Sequence, residues 1–209
     1  MRKATWYFDF ISPFSYLQLA RFNELPSDLE LTLKPVVFSA LLKHWGQKGP
    51  AEIPTKRRFT YRFFKWQADQ RGIAFTMPAR HPFNPIPPLR LAQAKGADLN
   101  SVRQIFHFIY GEGRNLNDSA AIDELGLNLG ISDAQARISD PLIKQALKDN
   151  TDEAIAAGAF GVPTFVADGE LFWGDDATQM FIDFLRDADL FRQPDMLRIS
   201  SMPMGMERQ

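Results

Sequence analysis

The sequence predicts an α/β fold in which a long helical segment interrupts a small β-sheet. Three observations predict it: a β-α-β unit at the start, helical periodicity through the middle, and a β-hairpin followed by a helix towards the end. The length of 209 residues fits one domain, or one domain with a large insertion. The 18 Phe and 4 Trp residues supply large apolar side chains for a core.

The β-α-β unit is predicted from the first residues onward. Residues 4–10 are aromatic and apolar nearly throughout, with Asp9 as the one charged member, which is typical of a central strand covered on both faces. Ser12 and Pro13 then form a helix start, with the serine at the N-cap and the proline in the first turn. Residues 29–37 alternate apolar and polar and predict the second strand. Asp9 is either a buried acid with a raised pKa or a carboxylate that bonds backbone near the helix start.

The middle of the chain has the apolar spacing of helices. We expect these at 39–46, 55–71, 88–95, 101–110, 118–129, 132–139 and 141–149. Ser132 with Gln135 has the pattern of a capping box, and Asp140-Pro141 that of an N-cap followed by a first helical proline. The proline-rich segment 77–88 predicts an ordered loop.

The last part of the chain returns to strand character. A short helix at 151–158 is followed by a strand at 162–167, an Asp168-Gly169 turn and a partner strand at 170–173. A final helix begins near 175–176. This order of elements is the layout of a thioredoxin fold with an inserted all-helical domain. We predict a thioredoxin-like domain formed by 1–38 and 151–209, and an insertion at 39–150.

Composition excludes several classes of function. The 24 basic and 25 acidic residues nearly cancel, so no overall field attracts nucleic acid or an anionic membrane. The chain has no cysteine, and any reactive thiol must therefore come from a ligand. His44, His81 and His107 lack the spacing of metal ligands, so we expect no metal site. With no apolar run of about 18 residues and no signal-peptide pattern, we expect a cytoplasmic protein.

Residues 8–17, with the sequence Phe-Asp-Phe-Ile-Ser-Pro-Phe-Ser-Tyr-Leu, carry a specific family resemblance. They resemble the opening motif of the 2-hydroxychromene-2-carboxylate isomerases, DsbA-like proteins related to the kappa-class glutathione transferases. Ser12 stands where the DsbA-type oxidoreductases have the attacking cysteine. The similarity continues through most of the chain, in the segments 34–36, 46–50, 54–57, 83–84, 160–164 and 173–176.

The resemblance implies glutathione as the cofactor. It implies a cis Val162-Pro163 bond, with the backbone of Val162 paired to the cysteinyl part of glutathione and the 174–176 turn holding the γ-glutamyl end. The two carboxylates and the ammonium of glutathione call for nearby charges, which Lys48, Lys56 and Asp176 can supply. The residues expected to bind glutathione are Ser12, Gln47, Lys48, Lys56, Val162, Pro163, Gly174, Asp175 and Asp176.

The implied reaction is the interconversion of 2-hydroxychromene-2-carboxylate and trans-o-hydroxybenzylidenepyruvate. A hydroxyl at a helix N-terminus stabilises a thiolate, so Ser12 is expected to be the catalytic residue without attacking the substrate itself. The thiolate adds to the enone, the former double bond rotates, and the thiolate leaves. The expected substrate is a small aromatic carboxylate, bound by residues of two kinds: the walls Phe14 and Phe38, and the carboxylate partners Lys48, His81 and Asn84.

Two other functions stay open for this sequence. A kappa-like glutathione transferase or peroxidase acting on other electrophiles needs the same thiolate. A non-catalytic thioredoxin-fold protein can instead bind extended peptides beside the cis-proline. The family resemblance also implies a homodimer.

Overall fold

A four-stranded mixed sheet forms the centre of the molecule. The computed structural model describes residues 2–206. The strands are β1 (Lys3–Phe8), β2 (Glu30–Pro35), β3 (Thr164–Ala167) and β4 (Glu170–Trp173), in the order β2-β1-β3-β4. β1 runs parallel to β2 and antiparallel to β3, and β3 pairs antiparallel with β4. The predicted β-α-β unit and the predicted hairpin are both confirmed.

Helices surround this sheet, and most of them come from the stretch between β2 and β3. Within residues 2–206 the α-helices are α1 (Pro13–Leu19), α2 (Phe38–His44), α3 (Pro54–Gln70), α4 (Ile86–Ala94), α5 (Leu99–Phe106), α6 (Ser119–Asn128), α7 (Ala134–Ser139), α8 (Pro141–Ala156), α9 (Thr178–Arg186) and α10 (Pro194–Ser200). A π-helical segment, His107–Gly111, continues α5. None of these helices combines the length and the apolar character that a membrane crossing requires.

Both faces of β1 are buried, as its sequence predicts. Trp6 and Phe8 point to one face, where their rings stack with centroids 4.6 Å apart and contact Phe106. Tyr7 points to the other face and belongs to a second apolar cluster with Val36. Alternation along the strand therefore divides the aromatic residues between two helical layers.

The structure confirms two of the three helix starts that the sequence predicts. Ser12 is the N-cap of α1, and Asp140 caps α8 by accepting from Leu142 N at 2.8 Å. The predicted capping box of Ser132 with Gln135 is wrong. Asp133 caps α7 instead, accepting from Ala136 N at 2.8 Å, because it immediately precedes the first helical residue. Gln135 donates to Asp123 at 2.8 Å.

The separate short helix predicted at 151–158 is also wrong, because α8 is continuous to Ala156. Thr151 donates its hydroxyl to Leu147 O in the preceding turn at 2.8 Å. The same hydroxyl accepts from Val37 N at 3.1 Å, which ties α8 to the connection between β2 and α2. These bonds keep a β-branched residue inside the helix. The insertion boundary at 150–151 stays a prediction, and it falls within this helix.

Two loops take the form that their residues require. Asp168 and Gly169 have φ values of 51° and 85°, as expected of a two-residue hairpin turn. The proline-rich loop ends earlier than predicted, because α4 begins at Ile86. The peptide bonds before Pro82 and Pro163 are cis.

Candidate active site

A cavity of about 630 Å³ lies between the start of α1, the α2–α3 region, the proline-rich loop and the turns that flank the β3–β4 hairpin. Most of the residues that the sequence nominates line it. They are Ser12, Phe14, Phe38, Gln47, Lys48, Lys56, His81, Val162, Gly174, Asp175 and Asp176. The fold therefore brings together residues from both ends of the chain and from the helical segment.

Two of the nominated residues are not part of this lining. Pro163 lies behind it, where its carbonyl accepts from Gly174 N at 2.8 Å and joins the two turns. Asn84 is exposed, and its side-chain oxygen accepts from Ile86 N at 3.1 Å. Asn84 thus bonds the backbone at the start of α4 and does not face the cavity.

The Ser12 hydroxyl accepts one hydrogen bond from the protein, and its own hydrogen is available to a ligand. It accepts from Ser15 N at 3.3 Å within the first turn of α1. Its other contact, with Val162 O, is 3.5 Å long, well beyond an ordinary O–H···O bond. The hydroxyl hydrogen can therefore turn towards a ligand, beside helix N–H groups that have no intrahelical partner. This arrangement favours an anion next to Ser12.

Asp9 lies under this turn and joins two walls of the cavity. Its Oδ1 accepts from Ile11 N and its Oδ2 from Phe38 N, each at 2.9 Å. The side chain is fully buried, which raises the pKa of Asp9 to about 7, although the two N–H bonds act in the opposite direction. Both sequence interpretations of Asp9 are therefore correct: it is a buried acid, and it bonds the backbone near the helix start.

His81 reaches the cavity with both ring nitrogens engaged. Its Nε2 lies 2.7 Å from Ile11 O and must donate, because a carbonyl only accepts. Its Nδ1 lies 2.6 Å from the hydroxyl of Tyr61. Burial lowers the pKa of His81, which favours the neutral ring despite the opposing effect of the bond to Ile11. His81 thus holds the residue before Ser12, and neither ring nitrogen is free for a substrate carboxylate.

Opposite charges lie at separate parts of the cavity. Lys48 and Lys56 are exposed near the start of α3, and neither forms an ion pair within residues 2–206. Asp175 is 1% exposed and pairs with Arg71 at the other end of α3, with Nη2 2.7 Å from Oδ2. At a rise of about 1.5 Å per residue, Lys56 and Arg71 are roughly 22 Å apart along the helix axis.

The turn that carries Asp175 and Asp176 is supported by residues that the sequence did not single out. Gly174 has a φ of 93°, which requires glycine, and its carbonyl accepts from Gln18 at 2.9 Å. Arg21 donates to Asp175 O at 3.0 Å. These partners are distant in the sequence, and no local pattern indicates the pairing. Asp175 therefore ties this turn to Arg21 and Arg71, while Asp176 is exposed at the cavity.

The sheet order, the helices around it and the cis-proline turn beside a helix N-terminus define a thioredoxin-fold protein. Residues 5–186 match the model of the DSBA-like thioredoxin domain family. The chain belongs to this family, with serine at the start of α1 and no cysteine.

Two curated relatives and one solved structure are similar over most of their lengths. Glutathione S-transferase kappa 2 of Caenorhabditis elegans is 28% identical, over 90% of this chain and 93% of the relative. A 2-hydroxychromene-2-carboxylate isomerase of Pseudomonas putida is 28% identical, over 82% and 88% of the two chains. The structure of a 2-hydroxychromene-2-carboxylate isomerase superposes with a TM-score of 0.74 at 25% identity, covering 93% of this chain and 98% of that one. These relatives are enzymes. The similarity to them supports an enzyme of this family.

We predict that Asp9 makes stability depend on pH. A carboxyl whose pKa is raised by folding contributes stability that is fully present below its unfolded pKa of about 3.9 and is lost as the pH rises through the folded value. Between about pH 4 and 7, the free energy of unfolding should therefore fall more steeply in the wild type than in Asp9→Asn, by up to about 1.4 kcal/mol per pH unit. Urea unfolding across this range measures the slope. The exposed control Asp28→Asn should keep the wild-type slope, and an unchanged slope in Asp9→Asn would refute the assignment.

A second prediction concerns the bonds of His81. His81→Leu leaves Ile11 O and the Tyr61 hydroxyl without their ring partners, and should lower the free energy of unfolding by about 2–3 kcal/mol. His81→Gln retains a donor and should recover part of this loss. His107, whose side chain is 59% exposed, provides the matched control His107→Leu, which should change stability little. Equal losses for His81→Leu and His107→Leu in urea unfolding would contradict the positioning role.

Proposed function

We propose that the protein is a glutathione-dependent isomerase that interconverts 2-hydroxychromene-2-carboxylate and trans-o-hydroxybenzylidenepyruvate. The observation that carries the proposal is the Ser12 hydroxyl, which has a free hydrogen at the start of α1 and faces Val162 before the cis-proline. A protein without cysteine needs a thiol from its ligand to use this position chemically. The similarity to an isomerase of the same name supports the choice of reaction.

The charges around the cavity fit the two ends of an extended glutathione molecule. In the proposed pose, the sulfur lies near Ser12 and the cysteinyl backbone pairs with Val162. The glycyl carboxylate reaches Gln47 and the exposed cations Lys48 and Lys56. The γ-glutamyl end lies at the 174–176 turn. Three extended residues span about 10–11 Å, so flexible lysine side chains can cover the remaining distance along the cavity.

The proposed reaction uses the thiolate as a removable nucleophile. The cyclic hemiketal first opens: the bond from the hemiketal carbon to the ring oxygen breaks, the hemiketal hydroxyl becomes the carbonyl, and its proton passes to the phenol oxygen. The electron pair of the thiolate then forms a C–S bond to the β-carbon of the resulting cis enone, and the electrons of the double bond move onto the carbonyl oxygen as an enolate. The former double bond is now single and rotates. The enolate then re-forms the double bond as the trans isomer, the C–S bond breaks, and the thiolate returns to Ser12. Glutathione is unchanged after each turnover, and no oxidant or reductant is consumed.

The substrate is proposed to lie on the apolar side of the cavity. Phe38 lines it from α2, and Phe14 packs edge-on against Phe64 with ring centroids 4.6 Å apart. Flat aromatic rings suit such walls. Lys48 is the proposed partner of the substrate carboxylate, because both ring nitrogens of His81 are engaged and Asn84 faces away. The predicted homodimer and the cytoplasmic location stay predictions.

A kappa-type glutathione transferase is the second candidate, favoured by the 28% identity to the Caenorhabditis elegans protein over 90% of this chain. It uses the same activated thiolate but leaves the sulfur bonded to the product. Isotopically labelled glutathione separates the two functions. With the hydroxychromene carboxylate as substrate, the proposed isomerase should return all of the label as free glutathione after many turnovers. Label that accumulates in the product identifies a transferase, and absence of both glutathione binding and turnover would refute both functions.

We predict that Ser12→Ala lowers turnover by about ten- to a few hundred-fold, because a hydrogen bond to an anion contributes roughly 1.5–3 kcal/mol. Glutathione affinity should change much less, because most of its proposed contacts lie elsewhere. Ser12→Gly removes the same hydroxyl but destabilises the start of the helix less, because glycine is a better N-cap residue than alanine. It should lower turnover to a similar extent. Ser39→Ala, on the cavity wall in α2, is the matched control and should change turnover by less than about threefold.

The direct measurement for Ser12 is the ultraviolet absorbance of the bound thiolate against pH. Loss of the donor should raise the pKa of bound glutathione in Ser12→Ala and Ser12→Gly, so residual activity should recover partly at higher pH. Superimposable titration curves in wild type and both variants would mean that Ser12 does not activate the sulfur.

A further inference from the structure

Two buried side-chain oxygens of the cavity lining have no hydrogen-bond partner among the described residues. They are Oε1 of Gln67 and Oδ1 of Asp175. Arg21 Nη1 lies 3.8 Å from Asp175 Oδ1, which is beyond hydrogen-bond distance. A buried acceptor without a hydrogen-bond partner destabilises the fold. Two such acceptors on one cavity are available to a ligand group that donates several hydrogen bonds.

The two oxygens belong to one corner of the cavity. Gln67 lies in the last turn of α3, and Arg71, four residues later, is the C-cap of that helix and donates its backbone N–H to Gln67 O. Arg71 in turn bonds the other carboxylate oxygen of Asp175 at 2.7 Å. The side of α3 that carries Gln67 therefore faces the turn that contains Asp175. We define the Gln67 corner as Gln67, Asp175 and Asp176.

The charges around the Gln67 corner favour a cation. Arg71 and Arg21 lie next to Asp175, and Glu24 forms an ion pair with Arg21 at 2.8 Å. Asp176 adds an exposed carboxylate on the cavity side. Three carboxylates thus face two guanidinium groups, which leaves one negative charge in excess. An ammonium carries one positive charge, donates up to three hydrogen bonds and accepts none.

We infer that Gln67 is a specificity-determining residue that binds the free ammonium of the γ-glutamyl group, together with Asp175 Oδ1. This inference rests on the proposed function, since glutathione is the ligand that brings the ammonium to the 174–176 turn. Gln67 adds a contact from the helical segment to the γ-glutamyl end of the ligand, which the 174–176 turn holds in the proposed pose. Its amide oxygen distinguishes a ligand with a free amino group from one without it.

The test crosses two ligands with three variants. The ligands are glutathione and glutaryl-cysteinyl-glycine, which lacks only the amino group. Calorimetry on the intact wild-type protein should give at least tenfold tighter binding of glutathione, because a hydrogen bond to a charged donor contributes roughly 1.5–3 kcal/mol. Gln67→Met has a similar side-chain length without an acceptor. It should lose most of this preference by weakening glutathione alone, and should bind the analogue within about threefold of wild type.

Gln67→Glu keeps an acceptor and should retain the preference, which separates loss of the contact from loss of folding. Gln70→Leu, exposed on the same helix, is the matched control and should bind both tripeptides as wild type does. Equal binding of the two tripeptides by wild type would overturn the inference and indicate that the corner does not recognise the ammonium. An unchanged preference in Gln67→Met would also overturn it and indicate that the carboxylates bind the ammonium without Gln67. Either result leaves glutathione binding intact. Failure of wild type to bind either tripeptide would instead overturn the proposed function, and the inference with it.

Discussion

The carboxylate of Asp9 holds the two sides of the cavity in place. One oxygen accepts from Ile11 N, directly before the catalytic candidate Ser12, and the other accepts from Phe38 N at the start of α2. His81 fixes the same short segment from the opposite side through Ile11 O. The position of the Ser12 hydroxyl therefore depends on a buried acid and a neutral imidazole, neither of which is proposed to touch the reacting atoms.

In the proposed function, this support allows a thioredoxin fold without cysteine to serve thiol chemistry. The helix N-terminus and the cis-proline turn are retained around the Ser12 hydroxyl, which contributes a donor where a thiol would contribute a nucleophile. The separated charges at Lys56 and Asp176 then suit a ligand that carries its own sulfur and ionic groups at both ends. In the proposed function, the protein supplies orientation and electrostatics while the ligand supplies the bond-forming atom.

Local signals made much of this predictable from the sequence. The Ser12-Pro13 helix start, the Asp168-Gly169 turn and the hairpin around that turn depend on neighbouring residues, and all are confirmed. The features that were missed depend on distant partners. Arg71 and Asp175 are 104 positions apart, and His81 and Ile11 are 70 apart, so no sequence window contains either pair. The continuity of α8 was likewise missed, because part of its support comes from Val37 rather than from helix propensity.

The continuous α8 also affects how freely the cavity wall can move when a ligand binds. The chain leaves the sheet through Val37, which bonds Thr151 of α8, and the next residue, Phe38, bonds Asp9. The start of α2 is thus fastened to α8, the last helix of the segment, and to Asp9 at the end of β1. Movement of that segment as a hinged unit would break these two bonds together. The Phe38 wall of the cavity is therefore held in place before a ligand binds, and ordering this wall requires little of the free energy of association.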